Sequence, residues 1–567
     1  MQRLRYAAGG DRLGPVPHQV GVPAVMAPGV PALLLLLTGA GTPHRLLHEE
    51  AVAPVPGVVA ESGRPTSATA PAPRFEPTET VESAVSEGHR FRVHFTRQGP
   101  NAVPLADVDG NGVPDLVELV GRTYERVATF YVDLGFRLPP DDATTPGDNG
   151  GDGRFDVYLV DFARRGDGAF RMETCLDGAT RCTGYMLQEN DFAGYGYPSD
   201  QEAVEILASH EFFHAVQAAY RPNLGGIASE GTAVWATERF EPALDDLEGF
   251  TRYYLESPDR GLLTDPSGPS VGFSYGAGLF FQFAGERYGD ALLVALLEES
   301  VRQPEARWPL LLDTVLRRDF ASSFDAAFAQ FSAWNLGTGA RATPGYGYAR
   351  AEGYAPLVTT ATGLPASLAS MRVAGASSRI FEVAGGASFV SATFEPETAT
   401  DLAALSLLMA AVTDDAVLRV VQATGPEPLK AQVAAHDATR VLVAVVDGRP
   451  QGLGRYGQLC IAATGQDAAC APVLPPPPDA GTDAGTQDAG TVDAGTQDAG
   501  TVDAGTQDAG TVDAGSSDAG RPQEPIDEPQ DPSDSDGGCQ AAGGPLSGAL
   551  IALLLGRALR GRRRSRP

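Results

Sequence analysis

Two periodicities divide the chain. From Phe91 to Trp334 apolar residues recur mostly at helical spacing, whereas from about Gly345 to Val473 they come in short runs broken by Gly, Pro and Asp. In the first stretch, Phe91-Arg92-Val93-His94-Phe95 alternates as a half-buried strand does, and Phe155 to Phe162 (FDVYLVDF) reads as a buried strand. Helical spacing predicts helices at Leu116 to Leu134, Ala203 to Tyr220, Glu230 to Phe240, Ala277 to Tyr288, Leu292 to Val301 and Phe324 to Trp334. In the second stretch, Arg379 to Val383, Ser388 to Phe394, Leu418 to Gln422 and Val441 to Val446 are predicted strands. The expected fold is an α+β domain over residues 89–340, mostly helical in its second half, followed by an all-β sandwich over 345–473.

Neither periodicity reaches the ends. Residues 1–41 contain Val30 to Leu37 (VPALLLLL) before small residues, the pattern of a secretory signal peptide, and the run is too short to span a membrane. Residues 42–88 are rich in Pro, Ala, Ser, Thr and Glu, so a disordered leader or pro-segment is expected, with order beginning at Phe91. Residues 474–536 form a disordered Asp-Ala-Gly-Thr repeat linker, and 537–567 a tail in which Cys539, an apolar run and an Arg cluster follow in order.

Charge and cysteine content narrow the class. The formal charge is -30, but fifteen of the acidic residues lie between Asp479 and Asp536 against Arg521 alone, so much of the acidity belongs to the linker. No long basic stripe precedes the C-terminus, which excludes nucleic acid as a natural partner. Cys175 with Cys182 and Cys460 with Cys470 are spaced as disulfides formed outside the cytoplasm, and no Cys-x-x-Cys knuckle is present.

The chemistry lies in His210-Glu211-Phe212-Phe213-His214, an H-E-x-x-H motif within a predicted helix. Residues four apart share a helical face, so both imidazoles can reach one tetrahedral metal, with Glu211 beside the open position as general base. No further His occurs before His436, so the third ligand must be a carboxylate; Glu230 and Glu238, on the next predicted helix, are both candidates. At this point the sequence resembles the gluzincins, and in particular the secreted metalloproteases of myxobacteria, whose H-E-F-F-H-A-V-Q helix is followed by E-G-T-A-x-W. The resemblance implies a zincin-like metallopeptidase domain, catalytic zinc, Glu230 as ligand and Glu238 as a supporting group. The sixteen positions from His214 to Glu230 are fewer than is usual in thermolysin-like and aminopeptidase-like gluzincins. Ser274-Tyr275-Gly276-Ala277-Gly278 is similar to the tyrosine segment of the aminopeptidase-like members, which implies Tyr275 as donor to the developing oxyanion. The tail resembles the myxobacterial sorting signal MYXO-CTERM, which implies export, processing near Cys539 and attachment at the cell surface.

A second metal site is expected at residues 107–118. Asp107, Asp109, Asn111, Asp115 and Glu118 occupy positions 1, 3, 5, 9 and 12 of a calcium loop, with Gly112 at position 6. No helix is expected to enter it, so this is a lone loop with a structural Ca²⁺. Asp148, Asp152 and Asp156 form a weaker acidic turn. Gly452-Leu453-Gly454-Arg455-Tyr456-Gly457 matches the dinucleotide pattern but precedes a strand-like run where a helix is required. The expectation is an exported zinc endopeptidase acting on protein or peptide substrates, with a non-catalytic, calcium-stabilised surface protein or adhesin as the alternative.

Overall fold

The computed structural model describes residues 63–145, 147–176, 181–268, 271–398, 402–464 and 470. The expected signal peptide, repeat linker and sorting tail lie outside the described residues. Among the described residues no helix is long and apolar enough to cross a membrane.

Alternation along the first third of the chain builds one mixed sheet from β1 (Val81–Val85), β2 (Phe91–Thr96), β3 (Phe155–Leu159), β4 (Gly168–Leu176) and β5 (Arg181–Gln188). The strand order is β1-β2-β3-β5-β4. β2, β3 and β5 run parallel, while β1 and β4 close the two edges antiparallel. A Cys175–Cys182 disulfide joins the β4–β5 pair, and Cys460–Cys470 forms a second one. Every position of β3 is buried because both faces of the sheet are covered. Phe91, Val93, Phe95, Phe155, Val157 and Leu159 point into the main core, which also receives the apolar faces of α1 (Asp115–Leu134) and α2 (Asp200–Ala218). Gly135, at φ 100, ends α1 with a left-handed cap that other residues adopt at a cost.

On the opposite face, Tyr158, Val160, Phe162, Tyr185 and Leu187 pack with Phe75 in a smaller core. Here the structure corrects the expectation that residues 42–88 are a disordered leader. Over the described part, from Gly63, the segment forms β1 and lays a strap across the sheet. Its anchor is Arg64, which is fully buried. The Arg64 guanidinium donates to Asp142 at 2.6 Å, to both oxygens of Glu173 at 2.9 and 2.6 Å, to Tyr158 Oη at 3.1 Å and to Asp156. Asp156 is also paired with His94 at 2.7 Å. The strap lacks apolar periodicity because its main side-chain anchors are the Arg64 guanidinium and the Phe75 ring, with backbone bonds holding the remainder, and no periodicity records these.

The second half of the first region is helical: α3 (Gly226–Phe240), α4 (Asp246–Leu255), α5 (Gly272–Gly276), α6 (Gly278–Tyr288), α7 (Ala291–Arg302), α8 (Trp308–Asp319) and α9 (Phe324–Asn335). A sheet-rich region follows, comprising β6 (Thr360–Ala361), β7 (Ala366–Val373), β8 (Ser377–Ala384), β9 (Phe389–Pro396), β10 (Leu405–Val412), β11 (Val417–Thr424), β12 (Leu429–Ala434), β13 (Arg440–Asp447) and β14 (Arg455–Ala463). These strands make two sheets, β11-β10-β13-β8-β6 and β12-β9-β14-β7, antiparallel throughout except for β6 beside β8. Leu405, Leu407 and Met409 of β10 and Val441, Val443 and Val445 of β13 share a core with residues of the four-stranded sheet. The alternate residues Leu408, Ala410, Val412, Leu442, Ala444 and Val446 face the other way and belong to the main core with the helices. The chain is thus a mixed α and β region followed by a sheet-rich one, with the five-stranded sheet of the latter covered on both sides.

Candidate metal centre

α2 starts where the Ser199 side chain accepts the Glu202 N–H, and from Ala203 to Ala218 it is buried on every side. A helix buried all round runs through a core instead of lying on it. Polar residues there are costly unless they find partners, and His210, Glu211, His214 and Gln217 are four such residues within two turns.

α3 packs on α2 and carries Glu230 to the two histidines. His210 Nε2 lies 3.2 Å from Glu230 Oε2, and His214 Nε2 lies 3.6 Å from the same oxygen. The donor atoms of all three residues lie within 4.8 Å of one another. Zinc–ligand bonds near 2.1 Å in tetrahedral geometry place donors about 3.4 Å apart, so this donor set fits zinc. Among the described residues no other trio of His, Cys, Asp or Glu side chains gathers in this way. Burial alone would raise the Glu230 carboxyl, but the neighbouring His214 and His210 hold it well below the usual carboxylate range. Burial likewise pulls His214 down, and the Glu230 charge outweighs it, lifting the imidazole to about 9.

Glu211 extends toward the sheet, where its Oε2 accepts the Phe170 N–H at 3.1 Å. β4 passes so close that a Cβ on Gly168 would stand 3.0 Å from Glu211 Cγ and from Leu207 Cδ2. The Tyr275 ring is stacked between His210, at 5.8 Å, and Phe250 of α4, at 5.1 Å. His210 is 0% exposed, Glu211 2%, Glu230 5% and His214 9%.

Glu238 is not part of the trio. It is buried beside Arg350, with Nη1 of that residue 3.3 Å from Oε1. Burial first, and then the Glu248 charge, push its carboxyl up to about 8.

Sequence reasoning missed Gln217, Ser229 and Thr232. Gln217 Nε2 donates to the Ser229 carbonyl at 2.8 Å and to Thr232 Oγ1 at 2.9 Å. Gln217 Oε1 lies 3.0 Å from His214 Nδ1 and accepts the Ser229 hydroxyl at 2.9 Å. The available signal was a polar residue three positions beyond His214 in an otherwise apolar turn.

The expected calcium loop folds as a tight turn, with Gly110 at φ 73 and Gly112 at φ 90, and leads directly into α1. Asp107 accepts the N–H groups of Gly110, Asn111 and Gly112. Asp115 Oδ1 accepts the Val108 N–H at 3.1 Å. The Asn111 amide nitrogen bridges Asp109 at 3.0 Å and Glu118 at 2.6 Å. Binding a cation here requires that amide to turn its oxygen inward. In the weaker acidic turn, Asp152 is paired with Arg92 and Arg154, and Asp156 with Arg64 and His94, so arginines already neutralise those carboxylates.

No protein-family model matches the chain, and no curated protein shows significant similarity to it.

Proposed function

We propose that the chain is an exported zinc-dependent endopeptidase of gluzincin type. The observation that carries this reading is the convergence of His210, His214 and Glu230 at tetrahedral spacing, with Glu211 next to the first ligand. His210, His214 and Glu230 would hold zinc, which when bound supplies a Lewis acid for carbonyl polarisation and water activation. Glu211, oriented by the Phe170 N–H, would take the proton of the attacking water on its carboxylate and pass it to the leaving amine. The Tyr275 phenol would donate to the oxyanion. β4 is an edge strand, so a peptide can pair with it as an added strand beside Glu211. In this reading the chain works outside the cytoplasm, as both disulfides favour. Ca²⁺ would fill the loop at residues 107–118, and the tail would attach the protein to the cell surface.

The test is Glu211→Gln in the full chain: bound zinc is retained and hydrolysis of a denatured protein falls by at least about a hundredfold. Equal hydrolysis by variant and wild type refutes the assigned base.

The near-complete burial of the donors favours a second reading, in which the metal is structural or the site vestigial in a surface protein or adhesin. This reading predicts that wild-type chain loaded with zinc is inert toward every unfolded protein offered.

A further inference from the structure

We infer that Gln217 is a positioning residue that fixes His214 in the tautomer presenting Nε2 to the metal. This rests on the zinc reading above. Donor and acceptor chemistry fixes the orientation of the Gln217 amide. The Ser229 carbonyl can only accept, so the Gln217 atom 2.8 Å from it is the NH₂ group. Thr232 Oγ1 spends its proton on the Ala228 carbonyl at 2.7 Å, so it too accepts from that NH₂. The Gln217 oxygen must therefore be the atom facing His214 Nδ1 at 3.0 Å. That oxygen can only accept, so Nδ1 carries a proton. The Ser229 hydroxyl also lies 3.4 Å from Nδ1 but spends its proton on Gln217 Oε1 at 2.9 Å, so the tautomer with its lone pair on Nδ1 would set two acceptors against each other in a site where Gln217 is 4% exposed. In the neutral ring the lone pair is then on Nε2, the atom 3.6 Å from Glu230 Oε2. The amide is itself held from α3 by Ser229, just before Glu230, and by Thr232, two positions after it, so the second ligand and the third are referenced to one another.

The experiment measures zinc affinity of the full chain by competition with a chromophoric chelator, for wild type, Gln217→Met and Gln217→Glu. The Met side chain has similar length and no acceptor for Nδ1–H; the Glu side chain keeps the acceptor and loses the donor to Ser229. The inference expects a loss of about 10–100-fold in the Met variant, while the Glu variant stays within a few-fold of wild type. Wild-type affinity in the Met variant overturns it. So does an equal loss in both variants, which assigns the effect to the bond with Ser229. A folded wild type that binds no zinc overturns the zinc reading itself, a different outcome from either. Should the Met variant not fold, histidine-selective ¹⁵N spectra of the zinc-loaded wild type decide the matter: a protonated Nδ1 on His214 supports the inference, and a protonated Nε2 overturns it.

Discussion

Arg64→Met should unfasten the strap. The wild-type guanidinium, fully buried, satisfies Asp142, Asp156 and Glu173 together, and two of those carboxylates are 0–1% exposed. Breaking a buried pair by deleting one partner costs about 3–5 kcal/mol, because the other charge stays buried without compensation. Three acids share this cation, so the upper end of that range is expected at pH 8. The pH dependence has a definite sign. Burial already raises Asp142 to about 7 against the Arg64 bonds that lower it, and burial raises Glu173 as well. A carboxyl with a raised folded value stabilises the fold at low pH and loses that contribution as pH climbs through the folded value. Without Arg64 the values rise further, so the deficit should shrink as pH falls from 8 to 5 and the acids take up protons. Urea denaturation followed by tryptophan fluorescence at both pH values measures this. A variant within about 1 kcal/mol of wild type at pH 8, set against the range expected for a buried pair, or a deficit that grows toward pH 5, would refute the reasoning.

Further outcomes follow from other sites. Glu238, raised to about 8 by burial and by Glu248, contributes stability that is full below its unfolded value and is lost as pH rises through 8. Glu238→Gln should therefore match wild type near pH 4, gain on it progressively as pH climbs, and melt higher than wild type at pH 9, by roughly 2–4 °C per kcal/mol. Calcium should raise the melting temperature of wild type, by about 2.7 kcal/mol equivalent at a hundredfold excess over its Kd, and leave Asp107→Ala unmoved; equal shifts in both place the ion elsewhere.

Much of the candidate site was legible because helical spacing and donor chemistry are local properties. His210 and His214 are four residues apart, and any helix places them together; Glu230 needed only a second helix packed on the first. The choice between Glu230 and Glu238 was less legible. Both lie on α3, and what separates them is Arg350, more than a hundred positions away in sequence, which pairs with Glu238. β10 was missed for a different reason. Leu405 to Val412 reads LSLLMAAV, rich in helix formers, and it is a strand only because it is sandwiched between β11 and β13 and buried on both faces. β4 and β5 escaped notice because Gly168, Gly184 and the paired cysteines interrupt their alternation. The strap depends on Arg64, which composition counts as a surface residue.

The outward face of the five-stranded sheet has a bearing on how the protein can be taken apart. A graft that exchanged the last third of the chain for some other module would carry off Leu408, Ala410, Val412, Leu442, Ala444 and Val446 and so strip their cover from the helices. The segment after α4 is also tied to the turn before β8, through the Leu262 N–H on the Ala376 carbonyl and the Ser378 N–H on the Pro258 carbonyl. Since α4 holds Phe250 against Tyr275, the sheet is a footing for the ring beside His210. A minimal fragment meant to keep the His210–His214–Glu230 cluster should accordingly be cut after β14, not at the bend where the helices end.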